Sequence, residues 1–283
     1  MASYNSPAVK GFEPFSVLLP VYHGDRAKWL DQAIGSALDD QQLRPDQIVV
    51  VQDGPVGPKL AAVLDQWAAR PEVDHLQLAT NQGISAALNA GLKVCRHSIV
   101  ARCDADDVNL PERFSTQIPM LQAGLDLVGG AMVEFTDQAR QAGIGRNYPT
   151  GQAEISQFAR LHNPFAHPTV VFRRQLVEQA GGYPRLDRLE DYLLWVRLLQ
   201  RGARVANTDQ VVVAYRVSQA AYARRGGAKL VLAEVTLQRT FRAMGFTTRR
   251  QAWRNLVLRA GFELAPVRLR QWPLRRMLSR GVQ

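Results

Sequence analysis

Three aspartates in four positions, Asp104, Asp106 and Asp107, close the stretch Ile-Val-Ala-Arg-Cys-Asp-Ala-Asp-Asp at residues 99–107. Like charges at that spacing repel one another unless a cation stands among them. A hard divalent ion, Mg²⁺ or Mn²⁺, held on one or two carboxylates and completed by diphosphate oxygens suits such a group. A solvated acidic turn would be spelled the same way, so the place of the cluster in the fold decides between the two. A second acidic pair, Glu190-Asp191, opens the apolar run Tyr-Leu-Leu-Trp at 192–195. At the start of a helix the dipole favours negative charge, so either carboxylate stays ionised and able to accept a proton from an attacking hydroxyl. An acidic first turn without any function would look alike. A carboxylate base facing a metal-bound leaving group is the least machinery that group transfer from a nucleotide requires.

The elements that must position these acids follow from periodicity. Strands are expected at Ser16–Leu19, Ile48–Val51, Leu76–Leu78 and Ser98–Arg102. They alternate with helices at Lys28–Leu38, Pro58–Ala69, Ile84–Val94 and Pro111–Leu121. That order implies an α/β fold with a mainly parallel sheet and helices on both faces. Ligands in such sheets bind beyond the carboxyl ends of the strands, where Pro20, Asp53, Asn81 and Asp104 all fall. Farther on, strands are expected at Leu127–Phe135, Thr169–Phe172 and Val211–Tyr215, and helices at Glu190–Gln200 and 228–244, with a polar connection over 136–153.

Composition narrows the class. The chain has 283 residues, 46% hydrophobic and 21% charged, as folded proteins do. No apolar run approaches the roughly 18 residues of a spanning helix, and the N-terminus lacks the plan of a signal peptide, so a cytoplasmic protein is expected. Cys95 and Cys103 have neither metal nor redox spacing. There is no phosphate-binding Gly-x-x-x-x-Gly-Lys loop, no Gly-x-Gly-x-x-Gly and no Gly-x-Ser-x-Gly elbow, which argues against an NTPase, a dinucleotide oxidoreductase and an α/β-hydrolase. The net charge of +10 is concentrated at the end: residues 240–283 hold ten arginines, no lysine and one acid, Glu263. A basic segment with Trp253 and Trp272 fits an anionic membrane surface better than nucleic acid.

Six motifs stand in order: Ser16-Val-Leu-Leu-Pro-Val-Tyr22, Val50-Val-Gln-Asp-Gly54, Asn81-Gln-Gly-Ile-Ser-Ala-Ala-Leu-Asn89, Ala101-Arg-Cys-Asp-Ala-Asp-Asp107, Asn163-Pro-Phe-Ala-His-Pro-Thr169 and Glu190-Asp-Tyr-Leu-Leu-Trp195. Together they resemble family 2 glycosyltransferases of the GT-A fold, and among those the bacterial enzymes of amylovoran, capsule and O-antigen assembly, down to Tyr222-Ala-Arg-Arg-Gly-Gly227. The resemblance implies inverting transfer from a UDP-sugar to a hydroxyl of a lipid-linked (polyprenyl diphosphate) saccharide, with Mn²⁺ or Mg²⁺. It implies a tail over residues 1–15, a catalytic domain over 16–227 and a helical basic extension over 228–283. Pro20 and Tyr22 would line the base and ribose pocket, Asp53 would bond the uracil, and Gly83 would admit the nucleotide to the backbone. Asp104 and Asp106 match the Asp-x-Asp pair that meets ribose and metal, Asp107 is an alternative ligand, and Asp191 matches the base. Arg216, or Arg224 and Arg225 beyond it, would contact the diphosphate; His167, Glu190 and Trp195 are candidates for the acceptor side.

The chain departs from the family where many relatives carry Tyr-Arg-x-His with a metal-binding His; here the segment is Tyr215-Arg-Val-Ser218. Leu193 stands where relatives usually carry Asp. The enzyme is expected at the inner face of the plasma membrane, peripheral through its basic tail, with no nucleic acid partner. The competing readings are a catalytically inactive sugar-nucleotide-binding protein and, less favoured because its acids are clustered, a two-carboxylate glycoside hydrolase.

Overall fold

The computed structural model describes residues 11–135, 145–186, 188–217 and 228–264. Strands β1 (Phe15–Tyr22), β2 (Gln47–Asp53), β3 (Val73–Leu78) and β4 (Ile99–Arg102) alternate with helices α1 (Ala27–Leu38), α2 (Pro58–Ala68) and α3 (Ile84–Val94). These strands pair in parallel, with β1 between β2 and β4 and β3 outside β2. Burial on both faces explains the apolar spelling of β1, β2 and β4, whereas β3, at the sheet's edge and only partly buried, mixes apolar and polar residues. Val17, Leu19 and Val21 face a core shared with α1 and α2, while Leu18 faces a second core with α3. β1 runs past the expected end at Leu19 and takes in Pro20. A proline removes a ladder donor, which a central strand tolerates poorly. Here Leu18 C=O accepts the Cys103 N–H at 3.0 Å, and Pro20, two residues on, meets the same side of β1 beyond the last β4 pair.

The second half is mixed. After β5 (Val108–Asn109) and α4 (Arg113–Gln122) come β6 (Leu127–Phe135), β7 (Gly145–Arg146), α5 (Gln152–Phe158), β8 (Val171–Arg173), α6 (Arg174–Gln179), α7 (Glu190–Gln200) and β9 (Val205–Arg216). Across the sheet the order is β3-β2-β1-β4-β8-β6-β9-β5, with β7 on β6. β8 is antiparallel to both β4 and β6, whereas β6 and β9 are parallel. The strand expected from Thr169 begins at Val171, because His167–Thr169 form a short 3₁₀ turn that Pro168 suits. The last strand is longer than the apolar run at 211–215, since its first part carries the polar residues Asn207, Asp209 and Gln210.

α7 is buried on two sides. Leu194, Trp195 and Leu198 meet the sheet, while Tyr192, Leu193 and Val196 meet Leu237 and Phe241 of α8 (Ala228–Ala243). Leu193 is thus a core residue, which accounts for its apolar side chain. α9 (Arg249–Leu264) packs back on α8. No helix among the described residues is long and apolar enough to cross a membrane. Both cysteines are free and buried. The 222–227 motif, with Arg224 and Arg225, lies outside the described residues, as do Ser218, most of the connection expected at 136–153 and the tail beyond 264.

Candidate active site

The sheet changes direction of winding at β1, so its neighbours β2 and β4 leave a crevice at their carboxyl ends. A cavity of about 300 Å³ occupies it, bounded by Pro20 and Tyr22 at the end of β1, Asp53 at the end of β2, Asn81 and Gly83 before α3, and Asp104 and Asp106 after β4. Asp53 is nearly buried, and its two oxygens accept the Gln82 N–H at 2.7 Å and the Gly83 N–H at 2.8 Å. Those donors precede the first turn of α3, so Asp53 at the end of β2 fixes the entry to the helix that follows the neighbouring strand β3. Gly83 has φ of +86° and nothing within 4 Å of where a Cβ would stand. Only the backbone, not crowding, demands glycine there.

The acidic loop is fixed from below. Arg113 is fully buried and donates from Nη2 to the Arg102 C=O at 2.7 Å and from Nη1 to Asn109 Oδ1, while the Asn109 N–H reaches Ser36 at 3.0 Å. Ligand oxygens of Asp104, Asp106 and Asp107 all lie within 4.8 Å of one another. Burial, and then the neighbouring Asp104, push Asp106 up to about 6, and burial with both neighbours raises Asp107 well above the usual carboxylate range. Asp107 Oδ1 accepts the Arg216 N–H at 2.8 Å, but its buried Oδ2 has no partner. Mutual repulsion and an unmet buried oxygen fit a divalent cation: the donor set is all oxygen, as Mg²⁺ or Mn²⁺ prefers.

Two arginines flank the cluster. Arg102, in β4, is buried and ion-paired with Asp104, and that carboxylate raises its pKa against the pull of burial. Arg216 does not stand where the sequence suggested. Its Nε donates to the Asp106 C=O at 2.7 Å and its Nη2 to Gln32 at 2.7 Å, with the guanidinium stacked on Trp29 and Phe135. Those partners make it a brace of the acidic loop rather than an arm reaching for a diphosphate.

The second acidic pair opens α7, as expected. Asp191 is 8% exposed; its Oδ1 accepts the Tyr192 N–H at 2.7 Å and its Oδ2 accepts Asn163 Nδ2 at 2.7 Å. The Asn163 amide is oriented by the Phe165 N–H, which donates to its Oδ1 at 3.4 Å. Burial pushes Asp191 up to about 6 against those two hydrogen bonds, and burial with the adjacent Asp191 pushes Glu190 to about 7. The structure removes Trp195 from the acceptor side: it is 0% exposed and packs between Phe165, His167, Phe172 and Tyr183. His167 is likewise a packed loop histidine, its Nε2 within 3.2 Å of the Tyr183 hydroxyl and its pKa lowered well below the usual value by burial. Asn163 and Arg102 stand in motifs quoted above without a role. Only three dimensions reveal their partners, 28 residues away for Asn163.

Fold and site together define a nucleotide-sugar transferase, with a crevice at strand ends, an acidic loop beside it and a carboxylate at a helix start. Comparisons agree. The model of glycosyl transferase family 2 matches residues 16–181. The amylovoran biosynthesis glycosyltransferase AmsE of Erwinia amylovora is 37% identical over 260 residues, 91% of this chain and 97% of that protein. The UDP-Gal:alpha-D-GlcNAc-diphosphoundecaprenol beta-1,3-galactosyltransferase of Escherichia coli is 30% identical over 94% of this chain and 97% of its own length. Among solved structures, TarS of S. aureus with UDP-GlcNAc superposes with a TM-score of 0.62 at 18% identity, over 80% of this chain and 65% of that one. A mannosyltransferase of Pyrobaculum calidifontis, in complex with GDP-Man and Mn²⁺, gives 0.61 at 17% identity over 98% and 79%. The chain belongs to glycosyl transferase family 2, whose members are inverting glycosyltransferases.

Proposed function

We propose that this enzyme transfers one hexose from a UDP-sugar to a hydroxyl of a saccharide carried on a polyprenyl diphosphate, inverting the anomeric carbon, during assembly of a bacterial surface polysaccharide. The observation that carries this reading is the continuous cavity from Asp53 to Asp106, which joins a nucleoside-sized recess to a carboxylate cluster. Pro20, Tyr22 and Gly83 wall the base and ribose, and Asp53 offers its remaining lone pairs to the base. Asp104 and Asp106 would hold Mn²⁺ or Mg²⁺, with Asp107 beside them as an alternative ligand. A bound divalent ion supplies the charge that stabilises departing UDP.

Asp191 is the base. The acceptor oxygen attacks the anomeric carbon, the bond from that carbon to the diphosphate breaks, and the acceptor proton passes to the Asp191 carboxylate. Glu190, half a pair with Asp191, lies toward the acceptor. Residues 16–227 form the catalytic domain and 228–283 a basic extension that holds the enzyme to the cytoplasmic leaflet, where lipid-linked acceptors lie; nucleic acid plays no part. Two relatives support the acceptor class, one named for a diphosphoundecaprenol-linked substrate and one for the polysaccharide amylovoran. Incubation with a panel of UDP- and GDP-sugars and a diphosphoprenyl saccharide, with Mn²⁺ or with chelator, tests it. We expect Mn²⁺-dependent transfer from one UDP-sugar; chelator-resistant transfer or release of free sugar alone would contradict it.

A further inference from the structure

The outer face of α9 differs from the rest of the surface. The described residues expose seven large apolar side chains. Tyr22 and Ile84 line the cavity, yet three of the seven, Trp253 (71%), Val257 (52%) and Leu258 (54%), stand on this one helix. They alternate with exposed arginines in the order Arg249, Arg250, Trp253, Arg254, Val257, Leu258, two outward residues for every turn. Ala252 and Asn255 face inward and are buried. Between residues 230 and 259 every exposed charge is an arginine; the acid in that range, Glu234, is buried and paired with Arg259 at 2.9 Å.

We propose that this face of α9 lies on an anionic lipid bilayer, with the arginines at the headgroups and Trp253, Val257 and Leu258 at the acyl boundary, so that docking is done by the folded helix and not by the tail beyond it alone. This deepens the proposed reading of a lipid-linked acceptor and rests on it. Charge decides the occupant. A second copy meeting this face about a two-fold axis would set three arginines against three with no acid to pair them. Nucleic acid would use the arginines and stack on Trp253 but leave Val257 and Leu258 without a partner. Anionic lipid satisfies both kinds of side chain.

The inner face of the same helix reaches the active site. Asn255 donates to the Arg160 C=O at 2.7 Å and Arg259 to the Leu161 C=O at 2.9 Å. That segment leads directly to Asn163, whose amide holds Asp191 at 2.7 Å. The helix that would lie on the bilayer is therefore tied to the loop that holds the proposed base.

Two full-length variants test the surface on phosphatidylcholine vesicles, with and without an equimolar share of phosphatidylglycerol. One carries Arg249→Gln, Arg250→Gln and Arg254→Gln; the other carries Trp253→Ser, Val257→Ser and Leu258→Ser. All six side chains are exposed, so folding is retained. The unaltered chain should partition onto the anionic vesicles. Each arginine near such a surface is worth about fivefold, so the first variant should lose about a hundredfold and the second at least about tenfold. Transfer to a water-soluble acceptor should be unchanged in both, while transfer to an acceptor embedded in vesicles falls with partitioning. Partitioning equal to that of the unaltered chain in both variants would overturn the proposal. So would a dimer that either variant turns to monomer, or retention on single-stranded DNA without retention on vesicles. Absence of transfer by the unaltered chain to either acceptor would refute the reading of function instead, and vesicle partitioning would still decide the surface.

Discussion

Asp53 and Asp191 are both nearly buried carboxylates that accept two hydrogen bonds each, and they are held in opposite ways. Asp53 is fixed by two backbone N–H groups of one loop, at 2.7 and 2.8 Å. Asp191 has one backbone donor, on the residue after it, and otherwise hangs on the side chain of Asn163. The parallel-strand half of the sheet thus grips with main chain, as a group that binds must. The mixed half holds its acid by a single amide in a buried place that raises it to about 6, as suits a group that takes up and gives back a proton.

The sharpest way to break that contrast is to strike the donor half at its acids. Asp106→Asn should remove Mn²⁺-dependent binding of the UDP-sugar and lower transfer by about a hundredfold or more, since charge on the leaving diphosphate goes uncompensated. Calorimetric titration of the donor with and without Mn²⁺ checks this, and unchanged metal-dependent binding would remove Asp106 from the ligand set.

On the other side the expected effect is smaller and shows in pH. Asp191 must be ionised to act, so kcat should fall as pH drops below about 6. Asn163 donates to the charged carboxylate and so lowers its pKa. Asn163→Ala should cost about tenfold and move the acid limb to higher pH, with KM for the donor unaffected. A loss of rate with the limb in place would mean that Asn163 only supports the loop. Smallest of all is Trp195→Phe. The indole Nε1 is buried without a partner, so losing it leaves no acceptor stranded. Stability should fall by about 1–3 kcal/mol for the cavity left behind, while KM for the acceptor should stay put; a raised acceptor KM would return Trp195 to the site.

The difference between the halves also marks what could be read from the letters. Strands β1, β2 and β4 are buried on both faces and spelled as apolar runs between helices with clear spacing, so Pro20, Asp53 and Asp104 could be placed at strand ends. β9 hid half its length because the side chains of Asn207 and Gln210 make hydrogen bonds, to the Pro149 C=O and from the Thr116 hydroxyl, and so break the apolar run. Arg216 misled for a related reason: an arginine past a strand is spelled the same whether it meets a phosphate or, as here, two aromatic rings and a carbonyl. Trp195 carried an acceptor role only by adjacency to Asp191. Four residues make about one helical turn, so Trp195 lies one turn below Asp191, where it is fully buried against the sheet. Asn163 had no signal of its own, because its partner is distant in sequence and hydrogen bonds leave no period.

The division of labour between the two halves is tested most directly by one variant measured twice. In Asp191→Asn, donor affinity with Mn²⁺ should stay within about twofold of the unaltered enzyme while transfer falls by about a thousandfold or more, the scale of a lost general base. Transfer at the unaltered rate, or donor binding lost together with transfer, would contradict it.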